Sequence, residues 1–307
     1  MTAPETPAWS NGPMTALDLE TTGIDPESAR IVSAALVSIQ AASEPSARTW
    51  LVDPGIDIPA EAAAVHGITT DHAVKNGRPP ADAVAEIVTQ VSQALTAGQP
   101  LIVFRAPYAL TVLAREAARV LNGVRWPQGN GPSGPTPSNG QATVHPGPGR
   151  PLLAGCACAR TTSSPPVEHL AEPTQLGGVG PKLPGGDTAR HAAAFPTEVA
   201  PVIDPAVIDK QINRYRPGRR TLPALCEHYQ VRHDGPNQAV EDALAVARLA
   251  WRLLRVRPQL AALDLATLHA RQQSWAAAQA LGLERHLRRT DPTATVNPAW
   301  PLLPTTH

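Results

Sequence analysis

Three apolar segments with interleaved polar positions follow one another from Met14: MTALDLE, then IVSAALVSI (Ile31 to Ile39), then RTWLVDP (Arg48 to Pro54). Turn-forming stretches separate them, with Gly23, Asp25 and Pro26 in the first and Ser43 to Ser46 in the second, so the pattern predicts a β-meander. The spacing then lengthens to that of helices. Pro59 to Val65 is one, and Pro80 to Leu95 another, with Val84, Ile87, Val88, Val91 and Leu95 at intervals of three and four. PLIVF (Pro100 to Phe104) reads as a short buried strand. Pro107 then opens the helix YALTVLAREAARVL at a position where its missing N–H costs nothing.

The pattern stops near Trp126. As far as Pro196 the chain is Gly, Pro, Ser, Thr and Ala without period, including GNGPSGPTPSNG, and cannot bury enough surface to offset its ordering entropy. Periodicity returns with a strand, APVIDP (Ala200 to Pro205), and two helices, TLPALCEHYQV (Thr221 to Val231) and QAVEDALAVARLAWRLL (Gln238 to Leu254). These supply the closing elements that the first half lacks, so the irregular stretch reads as an insertion within one domain. The expected organisation is a disordered N-terminus over 1–13, a domain split between 14–125 and 200–256 by a disordered insertion over 126–199, and a helical tail over 257–307. The tail carries Leu260, Leu263, Leu268, Trp275, Ala278 and Leu281 on a helical period and is expected to pack back onto the domain.

Composition changes this picture little. The 34 prolines among 307 residues, about 11%, are roughly twice the usual share and mark unpacked chain. A formal net charge of zero excludes a generic polyanion binder, so any nucleic-acid contact must come from a local basic patch. Cys156, Cys158 and Cys226 lack zinc-ligand spacing and read as free thiols of a reducing compartment. The N-terminus has no signal-peptide pattern and no stretch approaches 18 apolar residues, so a soluble, cytoplasmic protein with no membrane partner is expected.

The chemistry concentrates in LDLETTG. Positions i and i+2 of a strand share a face, so Asp18 and Glu20 point together while Leu17 and Leu19 face the other way. Two like charges so placed repel unless a cation or a proton lies between them, and hard oxygen donors suit Mg²⁺ or Mn²⁺. LDLETTG, the meander, HGIT (His66 to Thr69) and a late helix carrying Asp242 resemble the DEDD superfamily of 3′–5′ exonucleases. Within it the likeness is to the histidine branch that includes the proofreading subunit of bacterial replicases. The stretch from Val202 to Val231 and the tail with AWPLLP are further similar to exonuclease-domain proteins of actinobacteria.

The resemblance implies a ribonuclease-H-like α/β fold: a mixed five-stranded sheet with flanking helices, a long disordered insertion and a helical C-terminal tail. It also implies two metals about 4 Å apart, held by four carboxylates, with a histidine as general base. Asp18, Glu20 and Asp242 match three carboxylate positions, as catalytic residues and metal ligands. Two positions depart. Ala109 stands where the remaining ligand belongs, and Asn237 stands where the base belongs, an amide without useful proton affinity. His233, four residues ahead of Asn237, is a candidate substitute for the base; one helical step turns Glu241 away, and Glu116 lies two turns beyond Ala109, too far to replace the ligand.

Catalysis is therefore expected to be weakened or lost, with Mg²⁺ or Mn²⁺ as cofactor if active and none otherwise. The alternative is a pseudo-enzyme that serves as a nucleic-acid or protein-binding module. The expected partner is single-stranded nucleic acid or a 3′ end, DNA ahead of RNA, and a protein partner is left open. Thr21, Thr22 and Gly23 stand where the family receives the terminal nucleotide, and His66 is a candidate for the same pocket as well as for a structural role. RYRPGRRT offers Tyr215 for stacking and Arg216, Arg219 and Arg220 for phosphates. Arg105 is a candidate to neutralise the three carboxylates in place of a metal, or else to reach solvent. Asp204 reads as a helix N-cap, and Asp209 as a solvated or hydrogen-bonded acid.

Overall fold

The structure is a computed structural model and describes residues 9, 12–40, 43–121, 195–196, 198–235 and 237–305. Five strands form one sheet: β1 (Met14–Thr21), β2 (Ile31–Ile39), β3 (Ser46–Leu51), β4 (Leu101–Val103) and β5 (Val202–Ile203), in the order β3-β2-β1-β4-β5. The first three pair antiparallel, as a meander must, while β4 lies parallel to β1 and β5 parallel to β4. This mixed sheet with helices on both faces is the ribonuclease-H-like arrangement, so the expected fold class is the observed one.

Nine helices flank the sheet among the described residues: α1 (Ala60–His66), α2 (Thr70–Asn76), α3 (Pro80–Thr96), α4 (Ala106–Val120), α5 (Pro205–Ile212), α6 (Leu222–Tyr229), α7 (Ala239–Val256), α8 (Pro258–Ala261) and α9 (Leu265–Leu287). Alternate positions of β1 divide the core. Leu17 faces α3 and α4 through Val84, Ile87, Leu110 and Leu113, while Ala16 faces α7 through Ala243, Val246 and Leu249. Asp18 and Glu20 continue the Ala16 face. They therefore emerge under the first turn of α7, the turn that carries Asp242.

The sequence pattern omits α2, whose seven residues are too short to show a period. HGIT is explained by the junction it forms: Gly67 ends α1 in the left-handed region at φ 77°, and Thr69 caps α2 by accepting from the His72 N–H at 3.2 Å.

Most of the insertion assigned to 126–199, with Cys156 and Cys158, lies outside the described residues; its last residues do not, since Val199 is buried and Phe195 packs against the core. Trp9, placed by its sequence outside the fold, donates its indole N–H to the Leu263 carbonyl at 2.8 Å. The tail packs against the core through Leu260, Leu268 and Trp275, yet Ala278 and Leu281 are exposed, so the contact stripe stops at Trp275, short of where its period leads. Cys226 is a buried free thiol, pushed up to about 11 chiefly by that burial. No helix among the described residues is long and apolar enough to cross a membrane.

Candidate metal centre and nucleic-acid interface

Three carboxylates meet at the C-terminal end of β1. Asp18, Glu20 and Asp242 each present an oxygen, and these lie within 4.8 Å of one another. A register shift between Glu20 and Thr21 breaks the ladder there, before the last pair Thr21 and Ile31, an irregularity of the kind that re-aims side chains at strand ends. Burial lifts the Asp18 carboxyl well above the usual range, and the charges of Asp242 and Glu20 add to the rise. Glu20 is pushed up to about 7, first by burial and then by Asp242. Asp242 is raised by burial as well, although bonds from His233 and the Asn237 N–H pull against it.

Such a set resists ionisation until positive charge arrives. Among the described residues no Arg or Lys is ion-paired with Asp18 or Glu20, and the donor set is three hard carboxylates, which fits a divalent cation. Arg105 does not fill the role proposed for it. It is the residue before α4, in the left-handed region at φ 55°. Its exposed guanidinium lies over the Phe104 ring, 5.8 Å from the centroid, and donates to the Arg220 carbonyl at 3.4 Å.

Ala109 is buried in the first turn of α4 with only a methyl to offer, and no fourth Asp, Glu, His or Cys among the described residues joins the cluster. Glu116, on the same helix, is committed elsewhere, to Arg119 at 2.8 Å and Arg30 at 3.4 Å. Asn237 sits at φ 65° and uses its backbone: its N–H donates to Asp242 Oδ2 at 3.0 Å. The other oxygen, Oδ1, is bonded by Nε2 of His233, a side chain only 6% exposed. Sequence reasoning reached His233 only as a neighbour of Asn237. The fold-back that aims it at Asp242 has no local pattern, and its one trace is a histidine nine residues before the acid in a glycine-containing loop.

The strand end is stitched internally. Thr21 Oγ1 bonds Tyr108 Oη at 2.6 Å, Tyr108 also donates to the Gly23 carbonyl, and Thr22 Oγ1 accepts the Arg30 N–H at 3.0 Å. Both threonine hydroxyls thus serve the fold, and Gly23 is the open position, where an added Cβ would meet nothing within 4 Å. His66 lies beside the Thr21 backbone; its Nδ1 accepts the Ile68 N–H at 3.1 Å, and its Nε2 is buried without a hydrogen-bond partner among the described residues. Burial lowers its affinity for a proton, against the raising effect of the Thr21 carbonyl.

The arginine loop divides differently from expectation. Of the two roles expected for Asp209 it has the hydrogen-bonded one: it is fully buried, and its carboxylate takes Arg220, Arg216 at 3.5 Å and the Tyr229 hydroxyl at 2.7 Å. Arg220 also donates to the Asn213 and Arg214 carbonyls, and Arg216 to those of Pro217 and Arg219. Two of the three arginines assigned to phosphate therefore hold the loop together. What projects is Tyr215, 88% exposed, with the Arg214 guanidinium over its ring at 5.8 Å and the exposed Arg219 beyond. Lys210 nearby has its ammonium lowered by burial and by Arg220 and Arg214.

Asp204 caps α5 as expected, accepting the Ala206 N–H at 2.9 Å. It also accepts the N–H groups of Arg105 at 3.1 Å and Ala106 at 2.9 Å, and the Trp300 indole at 3.4 Å. One buried carboxylate thus anchors the start of two helices.

Residues 15–120 match the RNase_T family model, described as Exonuclease. That segment runs from β1 to the end of α4 and takes in Asp18, Glu20 and Ala109 but not Asp242. Among solved structures, Exonuclease I from Methylocaldum szegediense is 23% identical over 36% of this chain and 24% of that one, with a TM-score of 0.33. E. coli Exonuclease I in complex with a dT13 oligonucleotide is 13% identical over 81% of this chain and 42% of that one, at 0.49. The zinc-bound form of the E. coli ExoI–ssDNA complex is also 13% identical, over 81% and 42%, at 0.48. This chain spans less than half the length of these structures. No curated protein matches it.

Proposed function

We propose that the carboxylate cluster is a cation site of the 3′–5′ exonuclease type, taking Mg²⁺ or Mn²⁺, and that the chain binds or slowly trims the 3′ end of single-stranded DNA. The observation that carries this reading is the convergence of Asp18, Glu20 and Asp242 within 4.8 Å with no described basic residue ion-paired to Asp18 or Glu20. A divalent cation bound there would supply charge neutralisation at a phosphodiester and a more acidic water.

The chain's own residues support that chemistry only in part. Ala109 offers no oxygen, Asn237 offers no base, and Nε2 of His233 is already engaged with Asp242. Loss of a general base typically lowers a rate by about 10²–10⁴. A missing ligand should exceed the roughly 10–100-fold typical of groups that merely support one. The two need not multiply, because such groups act together, but a rate several orders of magnitude below that of a complete site follows. Tyr215, with Arg214 over its ring, is suited to stack a base and hold the adjacent phosphate.

The test is cleavage of a 3′-labelled single strand with Mn²⁺, comparing wild type, D18A and A109D. Slow trimming that needs the metal, vanishes in D18A and rises at least about tenfold in A109D is expected. Trimming unchanged in D18A would sink the site. The second reading, a binding module without chemistry, is favoured by the paired departures at Ala109 and Asn237. It is the result if wild type binds Mn²⁺ and DNA but cuts nothing.

A further inference from the structure

Asp242 differs from its two partners in the cluster. Among the described residues, both of its oxygens are hydrogen-bonded, Oδ1 by Nε2 of His233 and Oδ2 by the Asn237 N–H at 3.0 Å, whereas Asp18 and Glu20 have no such support. Once Asp242 is ionised, as holding a cation requires, its oxygens only accept, and the His233 ring then presents its N–H at Nε2. The ring is 6% exposed and lies in the loop between α6 and α7, so its orientation is held by packing.

Asn237 makes its bond because its backbone is left-handed, at φ 65°. That region is costly for most side chains and tolerated best by Gly, Asn and Asp. The residue two positions before α7 is thus an asparagine for a conformational reason: the turn aims the N–H back at a side chain in the helix's first turn.

We infer that His233 and Asn237 are positioning residues that clamp Asp242, one through its ring and the other through its main chain, and so hold the third carboxylate ready for the cation that Asp18 and Glu20 also face. Donors at both oxygens fix the carboxylate's rotation about its Cβ–Cγ bond and leave the remaining lone pairs directed at the cluster, the role that supporting groups play around a metal. A donor ring so engaged is not free to take a proton from water, which agrees with a site stronger in binding than in catalysis. The effect on cation affinity rests on the cation reading of the cluster, while the clamp itself is observable without metal.

Calorimetric titration of Mn²⁺ alone into the full chain tests the first point, with wild type, H233A, H233Q, N237G and N237A compared. H233A should weaken Mn²⁺ by about 10–100-fold. H233Q should recover most of that loss, since its amide donates an N–H without titrating, and N237G should hold Mn²⁺ more tightly than N237A because glycine enters the left-handed region freely. Equal affinity in H233A and wild type overturns the clamp, as does a glutamine no better than alanine. N237G as weak as N237A overturns the main-chain role of Asn237. Should wild type bind no Mn²⁺, the cation reading fails by itself. The clamp is then judged in the metal-free protein with ¹⁵N-labelled histidine: a protected His233 Nε2–H signal, lost in D242A, supports it, and no such signal in wild type overturns it.

Discussion

The buried Asp209 and the half-buried cluster of Asp18, Glu20 and Asp242 are built on opposite principles. Asp209 is surrounded by what neutralises it: Arg220, Arg216 and the hydroxyl of Tyr229. Asp18, Glu20 and Asp242 instead face one another: burial makes all three harder to ionise, and the charge of Asp242 adds to the rise at Asp18 and Glu20. Among the described residues, arginine is supplied to Asp209 and to none of the three cluster acids, which leaves that cluster in want of a charge from outside. The first group shapes a loop; the second waits for a ligand.

The contrast is sharpest in stability. Removing Asp209 strands Arg216, 5% exposed, beside a partly buried Arg220, and breaking a buried pair from one side costs about 3–5 kcal/mol. D209A should therefore lower the urea midpoint severely, whereas D18N in metal-free buffer should leave it level or raised. Equal losses in the two would erase the distinction.

A smaller effect comes from pH. The folded Glu20 ionises near 7 against 4.5 for its ordinary value, so protonation favours the folded state. Its contribution is fully present below about pH 4.5 and is lost as pH rises through 7, on the order of 2 kcal/mol for a partly buried group. Thermal melts in EDTA across that window, with E20Q as reference, should show the wild type falling relative to the variant. Parallel curves would mean that the cluster already has its counter-charge.

The smallest effect concerns the outer face of the arginine loop. Y215A should leave stability within about 0.5 kcal/mol, as exposed positions do. It should weaken single-stranded DNA by about 1 kcal/mol, the lower end of a base-stacking contact. R214A should flatten the salt dependence of binding. Binding that survives both changes would mean that the loop is only the shell around Asp209.

What was legible in the sequence follows the range of the interactions. The strands, the long helices and the shared face of Asp18 and Glu20 are written in near-neighbour spacing, and the crossing of α7 over β1 brings Asp242 to them. The direction of Arg105 was not legible, because a left-handed backbone before α4 turns the side chain toward residue 220. The arginines of RYRPGRRT read as a basic patch since nothing local marks Asp209, seven and eleven positions upstream, as their partner. Trp9 is a similar case, its partner carbonyl lying 254 residues away. His233 needed the path of a loop, which periodicity does not describe.

Asp204 carries a consequence for anyone redesigning this site. Its two oxygens set where α4 begins, through Arg105 and Ala106, and where α5 begins, through Ala206. The pitch and phase of the helix bearing Ala109 are thus dictated from 95 positions further along the chain. A carboxylate installed at 109 would inherit its aim from that distant anchor, so the missing ligand is a question of substitution at a prepared address.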